Sequence, residues 1–211
     1  MKTALLLLCL FYDQVAYTQD STSKRPVLLY AVAIYDFAKS YGVSAGASIP
    51  FQSIISHKQH ENLLAATKKD QFISVGAGMY RRPFLYTSAY LDVGAGVRFA
   101  RSEKHYSEVS FEQGVLRTFY DGQVYGEQLD GTIKELSLFG RTYATTGFSY
   151  AQHWSLSDGS GNAWFILFKP CIWIQYPYNS FLKPHFSLQV GASYQLGGVT
   201  VHTRTKYKHQ S

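Results

Sequence analysis

His153-Trp154-Ser155 carries the residue types of a hydrolytic pair. Two positions apart on a strand they share one face, so His153 could act as general base and Ser155 as nucleophile. A second cluster, His57, His60 and Glu61, has a spacing that would put two metal ligands on one helical face. Zinc needs at least three protein ligands, and nothing nearby supplies the rest, so the segment from Gln52 to Asp70 reads as a polar connector with room for a helical turn. A third set is dispersed along the chain: Asp92, Arg98, Glu108, Glu112, Arg141 and Lys169. These could line a selective pore or a gated ligand site, or they could pair as an ionic plug in a narrow barrel, which is the expectation here. The sequence contains no Gly-rich phosphate loop, paired-carboxylate motif or nucleotide fingerprint, because its glycines keep strand spacing. Neither a resident metal nor a cofactor is expected.

The elements that must position these residues are strands. From Tyr86 to Phe99 the residues sort by parity. Thr87, Leu91, Val93 and Val97 belong to an apolar set, and Tyr90, Asp92 and Arg98 to a polar, glycine-containing one. A strand sends successive side chains to opposite faces, so the segment has one greasy face and one polar face. The pattern recurs in Tyr41 to Phe51, in Phe72 to Arg81 and in Leu136 to Tyr150, where Arg141 falls in the polar set. It recurs most strictly in His185 to Leu196, where Leu188 and Val190 alternate with Ser187, Gln189 and Gly191. Trp164, Ile166, Phe168, Ile172, Ile174 and Tyr176 share a face with aromatic residues at both ends, as a membrane-interface girdle requires. Val27 to Phe37 alternates poorly and Tyr106 to Tyr120 irregularly. Asp121-Gly122, Asp130-Gly131 and the run from Ser157 to Asn162 supply turns.

Composition agrees with an exported barrel. The chain has 211 residues, of which 16% are aromatic and 17 are glycine. Mean hydropathy is only −0.13, because alternation hides the membrane signal. Lys2 followed by the apolar run Ala4 to Tyr12 and by Ala16-Tyr17-Thr18 reads as a secretory signal cleaved before Gln19. That run is too short for a spanning helix. Cys9 follows Leu6-Leu7-Leu8, whereas lipidation asks for a small residue there. Cys171 is then the one cysteine left, which excludes an internal disulfide and a cysteine-rich zinc site. The net charge is +6, and Arg204, Lys206 and Lys208 near the end of the chain supply half of it. In an exported barrel this points away from nucleic acid and toward a solvated tail, anionic headgroups or cell-wall polymers.

A soluble barrel would also alternate, with its apolar set inside. Here the apolar faces carry almost no charge over whole strands, and the opposite faces mix Gly, Ser and Tyr with isolated charges. Glycine has a use on the inner wall of a narrow barrel, where it makes room for tyrosine. The fold class is therefore all-β, an eight-stranded antiparallel up-and-down transmembrane β-barrel. Residues 1–18 are expected to be a signal peptide, 19–26 an N-terminal tail, 27–196 the barrel and 197–211 a basic C-terminal tail. This count puts the hairpin at 121–131 and the loop at 177–184 at one end. The segment 52–70 and the loop near Ser157 then share the other end with the termini. An alternative count drops Val27–Phe37, adds Val199–Tyr207 and reverses every loop.

Several stretches resemble a group of small, uncharacterised outer-membrane β-barrel proteins of Gram-negative bacteria. They run from Ser74 to Tyr80, Leu91 to Arg98 and Gly114 to Gly122, with Gly140-Arg141 and Gln175 to Asn179. The resemblance implies an outer-membrane location and a barrel, and brings no reaction. His153 and Ser155 separately resemble the nucleophile pair of outer-membrane lipid A deacylases. That pattern wants an acidic residue about a dozen positions on, where this chain has Leu167; Asp158 is nearer but lies in a turn. The expected function is thus a non-enzymatic barrel with a structural or interaction role through its loops. Its expected partners are outer-membrane lipids and a protein or cell-wall polymer. A deacylase-like hydrolase and a narrow solute channel are the alternatives.

Overall fold

The computed structural model describes residues 17–37, 39–60, 63–100, 102, 104–122, 125–127, 132–135, 139–156, 164–178 and 181–208. Most of the segment expected as a signal peptide, with Cys9, lies outside the described residues, as do the run from Ser157 to Asn162 and parts of the segment 121–131.

Ten strands follow one another among the described residues. They are β1 (Tyr17–Asp36), β2 (Ser40–His60), β3 (Leu63–Arg82), β4 (Tyr86–Ala100), β5 (His105–Tyr120), β6 (Tyr125–Glu127), β7 (Ile133–Glu135), β8 (Gly140–Ser155), β9 (Trp164–Tyr178) and β10 (Phe181–Lys208). Eight of them form one sheet, and β6 and β7 make a separate hairpin between β5 and β8. Each ring strand pairs antiparallel with its chain neighbour, and β1 also pairs with β10, so the sheet closes on itself. The protein is an eight-stranded up-and-down barrel. Closure removes the exposed edges that an open sheet would present.

Short turns at 37–39 and 83–85 join strands at one end, where Lys39 and Phe84 take positive φ of 64° and 65°. β5 and β9 end, and β8 and β10 begin, at that same loop end. The terminal end holds the first and last described residues, Tyr17 and Lys208, the turn near 102–104, the end of β8 and the start of β9. This is the topology of the first strand count. Val199–Tyr207, the extra strand of the alternative count, is a continuation of β10.

Two segments depart from expectation. Gln52–Asp70 is no connector with a helical turn; β2 and β3 run on through it as a paired hairpin from Gln52↔Gln71 to His60↔Leu63. The segments expected as tails, 19–26 and most of 197–211, are strand as well, paired from Gln19↔Thr205 to Pro26↔Gly198. Beyond the barrel, residues 202–208 of β10 also pair in parallel with residues 52–58 of β2. The order there is β1–β10–β2–β3, whereas in the barrel β1 stands between β10 and β2. The β1–β10 ribbon therefore turns over between the two regions. It does so at the register shift opposite Pro26, where Gly197 takes φ of 42°. Two-stranded ribbons twist more strongly than wide sheets, and glycine reaches positive φ without a side-chain penalty.

The strands read inside-out relative to a soluble barrel. On β4, Leu91 and Val93 are 67% and 59% exposed, while Ser88 and Arg98 on the opposite parity are buried. Inner-wall glycines accommodate large neighbours. A Cβ on Gly46 would fall on the Tyr30 ring, and one on Gly78 would lie 2.6 Å from Cζ of Tyr90. Pro170 accounts for a gap in the β8–β9 ladder. Pairing skips from Ser149↔Cys171 to Gln152↔Phe168, and proline has no N–H to donate between them.

Candidate functional site

The inner parity of the strands builds a filled lumen whose polar side chains are tied together in levels. Nearest the termini, Arg25 donates to Ser53 Oγ from Nε (3.2 Å) and from Nη2 (3.0 Å), and Ser53 donates to Asp70 Oδ1 at 2.7 Å. Lys68 Nζ lies 3.7 Å from the other Asp70 oxygen. These residues come from β1, β2 and β3, and they close the barrel at its terminal end.

One level further in, Arg98 Nε donates to Glu108 Oε1 at 2.6 Å, and its Nη2 donates to Ser48 Oγ at 3.0 Å. The guanidinium also lies 5.4 Å from the centroid of the Phe72 ring and 5.3 Å from that of Tyr106. Arg98 and Glu108 are direct cross-strand partners on β4 and β5, so the register itself brings the charges together.

His153 belongs to this level. Its Nδ1 is 2.9 Å from Ser193 Oγ, and its Nε2 is 3.6 Å from Glu108 Oε2. The ring stacks on Tyr106 at 4.1 Å and 19°. The hydroxyl bonded to His153 is therefore that of Ser193 on β10, not Ser155, and the nearby acid is Glu108 on β5. Leu167, at the place where a deacylase pattern wants an acid, is the residue paired with His153 across β8 and β9 and is buried. Serine, histidine and carboxylate thus meet, but inside a packed level whose adjoining void is about 20 Å³. A void of that size holds about one water and no acyl ester.

At mid-height, Glu112 Oε1 accepts from Lys169 Nζ (2.7 Å), Ser110 Oγ (2.9 Å) and Ser149 Oγ (3.0 Å). Asp92 and the rings of Tyr30 and Tyr90 border the same space, a cavity of about 70 Å³. Near the loop end, His185 Nδ1 lies 3.1 Å from Asp36 Oδ2, and its Nε2 lies 3.0 Å from Gln175 Oε1. Trp173 stacks on that imidazole at 4.0 Å, and Tyr80, Leu116 and Tyr143 pack into a buried cluster beside it.

Of the polar residues expected in the lumen, Tyr90, Asp92 and Arg98 are on the inner wall. Arg141 has the inward parity of Tyr143 but sits near the start of β8, so it is exposed at the rim. Of the residues expected to face lipid, Leu91, Val93 and Val190 are exposed on the outer wall. Val97 and Leu188 share that wall and are half-buried among their neighbours. The side chains of His57, His60 and Glu61 lie outside the described residues. Sequence reasoning missed Ser193, His185, Asp36 and Gln175 as network members. Parity marked Ser193 and His185 as polar-face residues, but only strand register says which residues meet.

Trp164 and Tyr176 bracket the outward apolar band of β9 at 54% and 58% exposure. At about 3.3 Å per residue and a tilt of about 40°, they stand roughly 30 Å apart along the barrel axis. That is close to the thickness of a bilayer's hydrocarbon core, about 30 Å.

No protein-family model matches the chain, and no curated protein matches it. Solved structures do. The chain is similar to a de novo designed transmembrane β-barrel, with 16% identity over 86% of this chain and 100% of that one and a TM-score of 0.36. It is similar to the N-terminal β-barrel domain of Pseudomonas aeruginosa OprF, with 13% identity over 82% and 100% of the two chains and a TM-score of 0.40. It is also similar to Ail, the attachment invasion locus protein of Yersinia pestis, with 13% identity over 84% and 97% and a TM-score of 0.41.

Proposed function

We propose that this chain is an integral outer-membrane barrel that carries out no reaction and acts as a rigid scaffold for its loop end. The observation that carries this reading is the inversion of the two faces. The wall that meets solvent is apolar, and the wall that is enclosed is charged. Ile73, Val75, Leu91, Val93, Val115 and Ile172 are each at least 45% exposed, while Arg98, Glu108 and Lys169 are buried. In water such a surface would associate or precipitate, whereas in a bilayer it is solvated.

The enclosed network supports a structural role. The four levels described above are each bridged by charge-assisted hydrogen bonds, and large side chains occupy much of the space between them. With a signal segment exporting the chain, the 121–139 connection and the turns at 37–39 and 83–85 would face the exterior. Phe84, 94% exposed at a turn tip, would be presented there for contact with a partner. Membrane fractionation with a heat-modifiability gel tests the reading. The expected result is a detergent-extracted band that shifts on boiling. A soluble periplasmic protein without that shift would overturn it.

A further inference from the structure

The outer wall is not evenly apolar. Across β1 to β5 it carries a depression of about 930 Å³. Ala31, Ala45 and Ala77, consecutive cross-strand partners, form its floor, and Met79, Leu91 and Val115 form its raised sides. Arg117 bounds it on the β5 side, level with Met79 and Val43. Among the described residues, outward positions of the ring strands between the aromatic girdles carry Lys69 near the terminal end, and Arg81 and Arg117 near the loop end. All are cations.

Arg117 stands three positions below the end of β5 at Tyr120, about 8 Å beneath the rim for a tilted strand. A lipid-facing charge at that depth is costly unless it reaches the headgroup level or meets an anion there. Its Nη1 donates to Thr142 Oγ1 at 2.8 Å, and its Cζ lies 5.7 Å from the Phe119 ring centroid, so the guanidinium is held against the wall with further N–H groups to offer. Arg81 is two strands away. By strand spacing and rise the two backbones are about 12 Å apart, so both side chains reach one group when Arg117 swings off Thr142 of β8, which lies on the side of β5 away from Arg81. The present partner of Arg81 is Asp121 at 3.2 Å, an exposed pair that exchanges at little cost.

The geometry points to a bound lipid: a phosphate-bearing membrane lipid whose phosphate sits between Arg117 and Arg81 and whose acyl chain lies in the alanine-floored depression. Guanidinium forks match phosphate oxygens, and an apolar depression that starts beside Arg117 and spreads across the wall from β5 to β1 suits the chain of the same molecule. This site rests on the membrane-barrel reading and names one of its partners.

The test uses the full chain folded into vesicles of equal phosphatidylglycerol and phosphatidylcholine, extracted in mild detergent and weighed intact by mass spectrometry. The expected result is one retained phosphatidylglycerol, favoured at least tenfold over phosphatidylcholine. Arg117→Gln should reduce that preference to parity. Ala45→Phe, which fills the trough and keeps both arginines, should lower retention of either lipid. Equal retention of the two lipids by the natural chain, or unchanged retention in either variant, overturns the site. A dimer without lipid would assign the depression to a second copy and overturn it as well. A heat-modifiability gel on each sample separates the failures. A natural chain that does not shift on boiling has failed as a membrane barrel, whereas a shifting chain without lipid preference has failed only as a lipid binder.

Discussion

Lys169 on β9 and Glu112 on β5 meet at 2.7 Å over Ser149 of the intervening strand, tying three adjacent strands at mid-height of the lumen. Their side chains are 11% and 19% exposed, so the pair has left water. Breaking such a pair by removing one partner strands a buried charge. Lys169→Met is expected to destabilise the folded barrel by about 3 kcal/mol, and joint replacement of Lys169 and Glu112 by apolar residues should recover most of that. Urea titration of the single and double variants in vesicles measures both. Additive losses would show that the two residues act separately.

The outward position of Leu91 separates a membrane barrel from a soluble one. Leu91→Arg is expected to cost about 2–4 kcal/mol of folding free energy in a bilayer, since the residue lies near mid-wall. On a water-exposed surface the same change would be nearly silent. Folding yield and urea midpoint in vesicles provide the measurement.

Gly46 faces the Tyr30 ring so closely that a methyl group cannot be added without displacement. Gly46→Ala should therefore lower stability by about 1–3 kcal/mol through overpacking. Pairing it with Tyr30→Ser should restore part of the loss. A Gly46→Ala barrel as stable as the natural chain would contradict the steric account.

His153 is bonded to Ser193, so a hydrolase and a structural network give different outcomes. Ser193→Ala is expected to cost about 1 kcal/mol from the lost hydrogen bond, leaving the acyl pattern of cellular lipid A unchanged. Ser155→Ala should leave the same pattern unchanged. An altered pattern in either variant would restore the catalytic reading.

The filled lumen also sets an expectation for transport. The space beside Glu112 and Lys169 amounts to about 70 Å³, and Phe72, Phe165 and Leu28 are almost wholly buried at other levels. Planar bilayers containing the folded chain should show no stepwise conductance. Reproducible steps would mean that these levels open.

Strand existence and facing were legible in the sequence because parity is a local property. Leu91 and Asp92 separate by face with no knowledge of the rest of the chain. What the pattern could not supply was register. The partners of His153 are Ser193, 40 positions away, and Glu108 on a third strand. The same ignorance misread Gln52–Asp70 and the chain ends. Their residues alternate weakly and carry charge, because these strands continue past the apolar band, where nothing requires a greasy face. Lysines and histidines there looked like connector and tail. Hydrogen bonding between backbones holds such segments in a sheet without leaving a side-chain signature.

The exchange of places between β1 and β10 beyond the barrel has a kinetic consequence. Every other seam in the ring is a hairpin between chain neighbours and can form locally, whereas this one joins the two ends of the chain. Long-range pairing forms slowly, because the entropy of closing so large a loop is lost before any contact compensates for it. Here the late seam is made twice over. β10 pairs with β1 from Asp36↔Ser187 down to Tyr17↔Lys206, and below the turnover it also lies along β2. The crossing acts as a clasp: opening the ring from this side requires the ribbon to unwind before its strands can part.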